Sequence, residues 1–193
     1  MLKSIFILPL FIFLSNFSFT GEEPSRCKQT DGGPAIEWTP EIKLVWSDFR
    51  STGKVNRGFS IAASTCGFGY DGLVQGNEIK VNVYVRFYCN ESWRNPDFDM
   101  TDVLEHEQLH FDICELYGRK FYKEIVQLRN ENKLTEKNLN HMYNGLIEDY
   151  DAIQDKYDLD TNHSTETEEQ QKWNKFVKEE LFKLQAYANY REF

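Results

Sequence analysis

Basic side chains are the minority in this chain. Its 193 residues hold 22 Lys and Arg against 31 Asp and Glu, a formal net charge of −9. The two signs are interspersed and no basic stripe occurs, which removes the electrostatic footprint of a nucleic-acid binder. A mild preference for basic substrates is all that the net charge allows. Cysteine is limited to Cys27, Cys66, Cys89 and Cys114, with neither a CxxC pair nor a Cys/His finger spacing, so a finger-type zinc site is excluded. Internal repeats and low-complexity tracts are absent, which excludes a solenoid.

Long apolar runs are missing too, apart from one at the start. Met1-Leu2-Lys3 is a short basic opening, and Ser4 to Phe19 is mostly Ile, Leu and Phe. Ser18 and Thr20 stand at the spacing of a signal-peptidase site near Gly21. The apolar core is short for a span, and Pro9 and Asn16 interrupt it. Residues 1–20 are therefore expected to be a cleaved signal peptide. The Glu23-Pro24-Ser25-Arg26 lead into Cys27 does not suit lipoprotein processing. The expected product is an exported protein, periplasmic or extracellular, with no stable membrane anchor after cleavage. Residues 21–193 suffice for a single domain with a substantial core.

In an oxidising compartment four cysteines suggest disulfides, with three possible pairings. Cys66 and Cys89 each end an expected strand and are the pair chosen here. Cys114 lies one helical turn beyond His110 and reads more readily as a small buried hydrophobe than as a ligand.

The chain divides into a strand-rich half and a helical half. Ile42, Leu44 and Trp46 alternate, as do Phe59, Ile61 and Ala63. The clearest run is Ile79, Val81, Val83, Val85, Phe87 and Cys89, a period of two that marks a strand with one buried face. Gly67 to Gly72 and Gly76-Asn77 read as connections. After Pro96 the period becomes helical. Asp102 with Glu105 is a capping-box pattern that starts a helix at about Val103 and runs it to about Asn130. Further helices fit Thr135 to Tyr157 and Thr167 to Tyr187, with a polar loop from Tyr157 to Ser164 between them. The expected fold class is α+β: a small, mostly antiparallel sheet of three or four strands packed on a zinc-binding HExxH helix and two further helices, zincin-like.

Histidine is scarce, with four residues in all, and two of them carry the chemistry. His106-Glu107-Gln108-Leu109-His110 places two imidazoles one above the other on one helix face. That is the spacing at which both reach one tetrahedral Zn²⁺. Glu107 can then take a proton from a water at the metal's open position. The plain alternative is a helical face with two solvated histidines and a surface glutamate. A catalytic zinc also needs a third protein ligand. His163 in the polar loop ranks first, with Glu148, Asp149, Asp151 and Asp158 as carboxylate alternatives, and His141 reads as a surface residue.

Leu104 to Ile113, the following Glu115-Leu116-Tyr117-x-Arg119-Lys120, and the later Tyr157-Asp158-x-x-Thr161-x-His163 with Trp173 resemble a bacterial family of secreted zinc-dependent proteases. That family is catalogued as domain of unknown function 922. Trp46-Ser47-Asp48-Phe49 and Ser92-Trp93 are similar to its N-terminal half. The resemblance implies one zinc ion at His106 and His110, Glu107 as catalytic residue, and His163 as third ligand. It implies no particular substrate.

The expected function is a zinc peptidase in which Glu107 is the general base and a polypeptide is the substrate. Tyr157 and Arg119 are candidate oxyanion donors. Asp112 is a candidate acceptor for a ligand imidazole, although its spacing of two from His110 turns it from that face. The strand from Ile79 to Cys89 is a candidate surface for pairing with an extended peptide. Two other classes stay open: a zinc amidase acting on cell-wall peptides, and a non-catalytic exported protein with a closed structural zinc, for which Cys114 or Asp158 could supply a fourth ligand.

Overall fold

The computed structural model describes residues 26–52, 61–76, 78–98 and 100–192. The expected signal segment at 1–20, and Phe59 and Asn77 from the strand reading, lie outside the described residues. The chain is α+β. Its strands are β1 (Lys28–Thr30), β2 (Gly33–Glu37), β3 (Ala62–Ala63), β4 (Cys66–Gln75), β5 (Glu78–Tyr88) and β6 (Trp93–Arg94). Its helices are α1 (Thr101–Asn130), α2 (Glu136–Thr161) and α3 (Thr167–Lys183). Four strands form an antiparallel sheet in the order β1-β2-β5-β4, and β3 pairs with β6 as a separate two-stranded ribbon.

Strand β5 is the spine of the sheet. Val81, Val83, Val85, Phe87 and the following Cys89 are all buried on the face that meets α1, as a period of two requires. Both of its edges are taken. β4 pairs along its whole length, and β2 pairs at its C-terminal end. Where β2 stops, the chain's own C-terminal tail takes over: the Val83 N–H donates to the Tyr190 carbonyl and the Val81 N–H to Glu192 Oε2. The expectation that this strand could pair with an extended peptide is therefore corrected, because its main-chain groups already have partners.

Other local expectations shift for identifiable reasons. Ile42 to Trp46 forms no strand. The Leu44 N–H donates to the Gln108 side chain of α1, and Trp46–Asp48 closes a 3-10 turn. Gly67 to Gly72 lies inside β4 rather than in a connection. At Gly69 the cause is steric: a Cβ there would stand 2.5 Å from the Tyr84 hydroxyl of the paired strand. The expected Cys66–Cys89 disulfide is replaced by Cys27–Cys89. Cys66 stands opposite Phe87 in the β4–β5 register, two residues out of step with Cys89. Diagonal cross-strand neighbours are about 7–8 Å apart, beyond the reach of an S–S bond. The observed bond instead ties the segment entering β1 to the end of β5.

Helix α1 lies on the sheet and is covered in turn by α2 and α3, so Phe111 to Arg119 is buried but for a partly covered Asp112. The close approach to the sheet occurs at Gly118, where a Cβ would sit 2.5 Å from Val85 Cγ2. Glycine costs helix propensity of up to about 1 kcal/mol against alanine, so its place in mid-helix reflects this contact. Gly118→Ala should lower stability by about 1–3 kcal/mol, since overpacking outweighs the propensity gain. Denaturant unfolding checks it; an unchanged or higher midpoint would show that the seam opens freely.

Candidate metal centre

His106 and His110 stand in the second and third turns of α1, and Glu107 is turned beside them. α2 runs antiparallel across this face. It continues one turn beyond its expected end at Tyr157. Thr161 Oγ1 donates back to the Tyr157 carbonyl at 2.7 Å, and Asn162 closes the helix in a left-handed conformation with φ 44°. That added turn carries Asp158 on the helix and points it at α1.

Three atoms meet there. Asp158 Oδ1 lies 3.0 Å from His106 Nε2 and 3.0 Å from His110 Nε2, and the two Nε2 atoms are 3.1 Å apart. Among the described residues His106, His110 and Asp158 form the group able to hold a metal ion. Its donor chemistry supports that. Gln154 Nε2 donates to the His110 carbonyl at 3.1 Å, which turns Gln154 Oε1 toward His110 Nδ1 at 2.6 Å. Gln170 Oε1 accepts from the Tyr157 hydroxyl at 2.8 Å and faces His106 Nδ1 at 3.1 Å, while Gln170 Nε2 donates to Asn174. An amide oxygen only accepts, so each Nδ1 carries the hydrogen. Each Nε2 of a neutral ring then presents a lone pair to the other and to a carboxylate. Three converging acceptors call for a positive charge, either a proton or a cation. Two imidazoles and one carboxylate suit a divalent transition metal.

Electrostatics give the same sign. Burial alone would push the His110 imidazole down. The hydrogen bond to Asp158 and the charges of Glu107 and Asp158 outweigh it, and its pKa stands at about 9. Burial would raise Asp158, but its bonds to His106 and His110 hold it well below the usual carboxylate range. Glu107 is buried, and Ser64, one residue past β3, donates to its Oε2 at 2.6 Å.

His163, the first-ranked third ligand, stands at the rim. Its side chain is 67% exposed, with Nδ1 3.4 Å from Asp158 Oδ1. It follows Asn162 and precedes Ser164 in a run of three left-handed residues, with φ of 44°, 50° and 79°. The residue seated with both imidazoles is Asp158, one of the carboxylate alternatives. Glu148, Asp149, Asp151 and His141 are exposed on α2 away from the cluster.

The oxyanion and acceptor candidates are corrected. Tyr157 is fully buried; its ring stacks on His106 at 4.5 Å and its hydroxyl donates to Gln170 and the His106 carbonyl. It positions the imidazole and has no donor left over. Arg119 lies more than two turns beyond His110, donating to Glu115 and to the Leu181 carbonyl. Asp112 faces the opposite side of α1, where Trp38 Nε1 and Gln108 Nε2 donate to it. A cavity of about 800 Å³ lies on that opposite side, lined by Trp38, Leu104, Gln108 and Asp112 among others, and none of the three clustered residues lines it. Gln154, Gln170 and Ser64 are the participants that sequence reasoning missed. Gln154 is four residues before Asp158 and so on its face, a signal available once that turn is helical. Ser64 is 43 residues from its partner, and no spacing announces it.

The fold and this cluster together define an α+β protein with a helix-borne group able to bind a metal ion. Residues 90–164 match the family model described as bacterial protein of unknown function (DUF922). The match runs from the end of β5 to the loop after α2 and contains the whole cluster. No curated protein and no solved structure matches the chain.

Two outcomes test the cluster. The raised pKa of His110 stabilises the metal-free fold fully below about pH 6.5, and that stabilisation is lost as pH rises through about 9. A metal ion takes the proton's place, so its binding should strengthen over the same window and release a proton. Thermal midpoints of chelator-treated protein across this range, with calorimetry in two buffers, read both effects; a metal-free fold that gains stability toward pH 9 would count against the cluster. Separately, Asp158→Ala should cut metal affinity at least about tenfold, as loss of a bonded partner of the ligand imidazoles also would. His163→Ala should retain most of the metal after identical dialysis, and the reverse ranking would restore His163 as third ligand.

Proposed function

We propose that this chain is an exported zinc-dependent hydrolase that cleaves peptide bonds, with Glu107 as general base. The observation that carries the reading is the buried Glu107 carboxylate, adjacent in sequence to a clustered histidine and held at one oxygen by Ser64. The donor set alone is shared with iron sites of two histidines and one carboxylate. A glutamate fixed beside the same cluster favours zinc and proton-transfer chemistry.

When bound, zinc supplies a Lewis acid that acidifies a water and polarises a carbonyl. His106, His110 and Asp158 would hold it. Gln154 and Gln170 keep the two imidazoles in the Nδ1–H tautomer, and the Tyr157 ring fixes the plane of His106. Ser64 restrains Glu107 Oε2 and leaves Oε1 to exchange the proton. Glu107 takes a proton from the attacking water and returns it to the departing nitrogen, which an amide needs to leave. The cluster opens to solvent at Asp158 and His163, which sets the side from which a substrate approaches. Export is supported by the Cys27–Cys89 disulfide, which an oxidising compartment maintains. Among the described residues no helix is long and apolar enough to cross a membrane.

Glu107→Gln separates catalysis from binding. An amide cannot accept the proton, so hydrolysis of an unfolded polypeptide should fall about 10²–10⁴-fold with metal content unchanged. Elemental analysis and a peptide-release assay on the same samples check it. Full activity in this variant would end the reading, and cleavage confined to cell-wall peptides would redirect it to an amidase.

A further inference from the structure

The cavity of about 800 Å³ lies across α1 from the metal cluster. Its floor is the first turns of α1, from Thr101 to Asp112; one wall is the segment from Trp38 to Leu44, and the other is α3. Trp38, Leu104, Val177 and Leu181 give it an apolar lining, and its volume is that of a small-molecule site. Four charged side chains line it as well: Lys43, Glu105, Asp112 and Lys178. Among the described residues none of the four is held in an ion pair. Asp112 is partly covered, and both of its hydrogen bonds reach one oxygen. Trp38 Nε1 donates to Oδ1 at 2.8 Å and Gln108 Nε2 at 3.0 Å, while Oδ2 accepts none among the described residues. Glu105, seven residues earlier on the same helix face, is exposed, so water serves it. Lys43 and Lys178 are exposed, one on each wall.

We propose that this cavity binds a short zwitterionic peptide with apolar side chains, its ammonium on Asp112 Oδ2 and its carboxylate toward Lys43 and Lys178. Each part of the ligand answers a feature of the cavity. A carboxylate oxygen without a donor, set in a largely apolar lining, is best met by a positively charged N–H group. Apolar side chains leave water by packing on the Trp38 ring and the aliphatic residues around it. The two lysines outside any ion pair offer the ligand's carboxylate its opposite charge. Two acidic and two basic groups line the cavity, so a neutral zwitterion balances them where a simple amine or a simple acid does not. The inference does not depend on the proposed hydrolysis. The metal cluster occupies another face of α1, and none of its three residues lines the cavity.

Calorimetric titration of the mature protein with the dipeptide Leu-Leu tests this. The protein is used after chelator treatment, and again as zinc-loaded Glu107→Gln, which by the proposed mechanism does not consume the peptide. The expected result is one site per chain in the metal-free protein, retained with zinc. N-acetylated Leu-Leu lacks the ammonium and should bind at least about tenfold more weakly. The same loss is expected for Leu-Leu with Asp112→Asn, whose side-chain oxygen still accepts from Trp38 and Gln108. Should that variant unfold, the acetylated peptide makes the same comparison on unaltered protein. C-terminally amidated Leu-Leu, and Leu-Leu with the Lys43→Gln and Lys178→Gln pair, should each bind several-fold more weakly. Absence of binding at millimolar dipeptide, or equal affinity for the acetylated form, would overturn the site. Equal affinity for the amidated form would overturn the zwitterion assignment. Binding that requires zinc would move the peptide to the metal cluster and overturn the cavity.

Discussion

Helix α1 is enclosed over its middle turns by the sheet on one side and by α2 and α3 on the other, and each polar group it turns inward must find a partner inside the protein. An unsatisfied buried polar group costs about 1–3 kcal/mol, and a buried charge costs more. The helix carries many such groups. Glu115 meets Arg119 and the Tyr190 hydroxyl, and Asp112 meets Trp38 and Gln108. Glu107 meets Ser64, and the two imidazoles meet glutamines from α2 and α3. These bonds set where the surrounding elements lie on α1. Gln154 fixes the height of α2, Gln170 that of α3, and Tyr190 that of the C-terminal tail.

One group breaks the pattern. At the Nε2 atoms of His106 and His110 and Oδ1 of Asp158, acceptors face acceptors. Elsewhere around α1 the inward carboxylates Glu107, Asp112 and Glu115 each accept from a donor. The Glu115–Arg119–Tyr190 network is neutralised and fully inside, which is how a structural ion pair persists. The cluster at Asp158 is partly exposed and short of positive charge. The difference between a lock and a binding site in this protein is that imbalance, together with access from solvent at the rim near His163.

Much of this was legible in the residues. The alternation from Ile79 to Cys89 is the buried face of β5, because a period of two survives any tertiary context that buries one side of a strand. The long periodic segments after Pro96 are three helices within a few residues of their expected ends, save where α3 gives way to a 3-10 turn. The HExxH spacing names the ligand face of α1 from geometry internal to a single helix. The misreadings share a cause. A run of Asp, Thr, Asn and Ser reads as a loop and so places Asp158 in one, yet Thr161 and Asn162 act there as the close of a helix. Strand ends look alike in sequence, which suggests Cys66 with Cys89, while register decides which side chains are opposite.

The sequence by itself determined the elements and one half of the site. Local periodicity sets which residues are helical and which are strand, and a fixed helical pitch puts His106, Glu107 and His110 on adjoining faces whatever surrounds them. Tertiary structure alone decided the other half. Asp158, Gln154, Gln170 and Ser64 reach the site from three different segments, at separations of 43 to 64 residues from their partners. Their meeting depends on how α2, α3 and the β3–β4 connection pack on α1. Packing is set by volumes such as the missing side chain at Gly118 and by which buried polar groups can satisfy one another. Neither quantity is written in any one stretch of the chain.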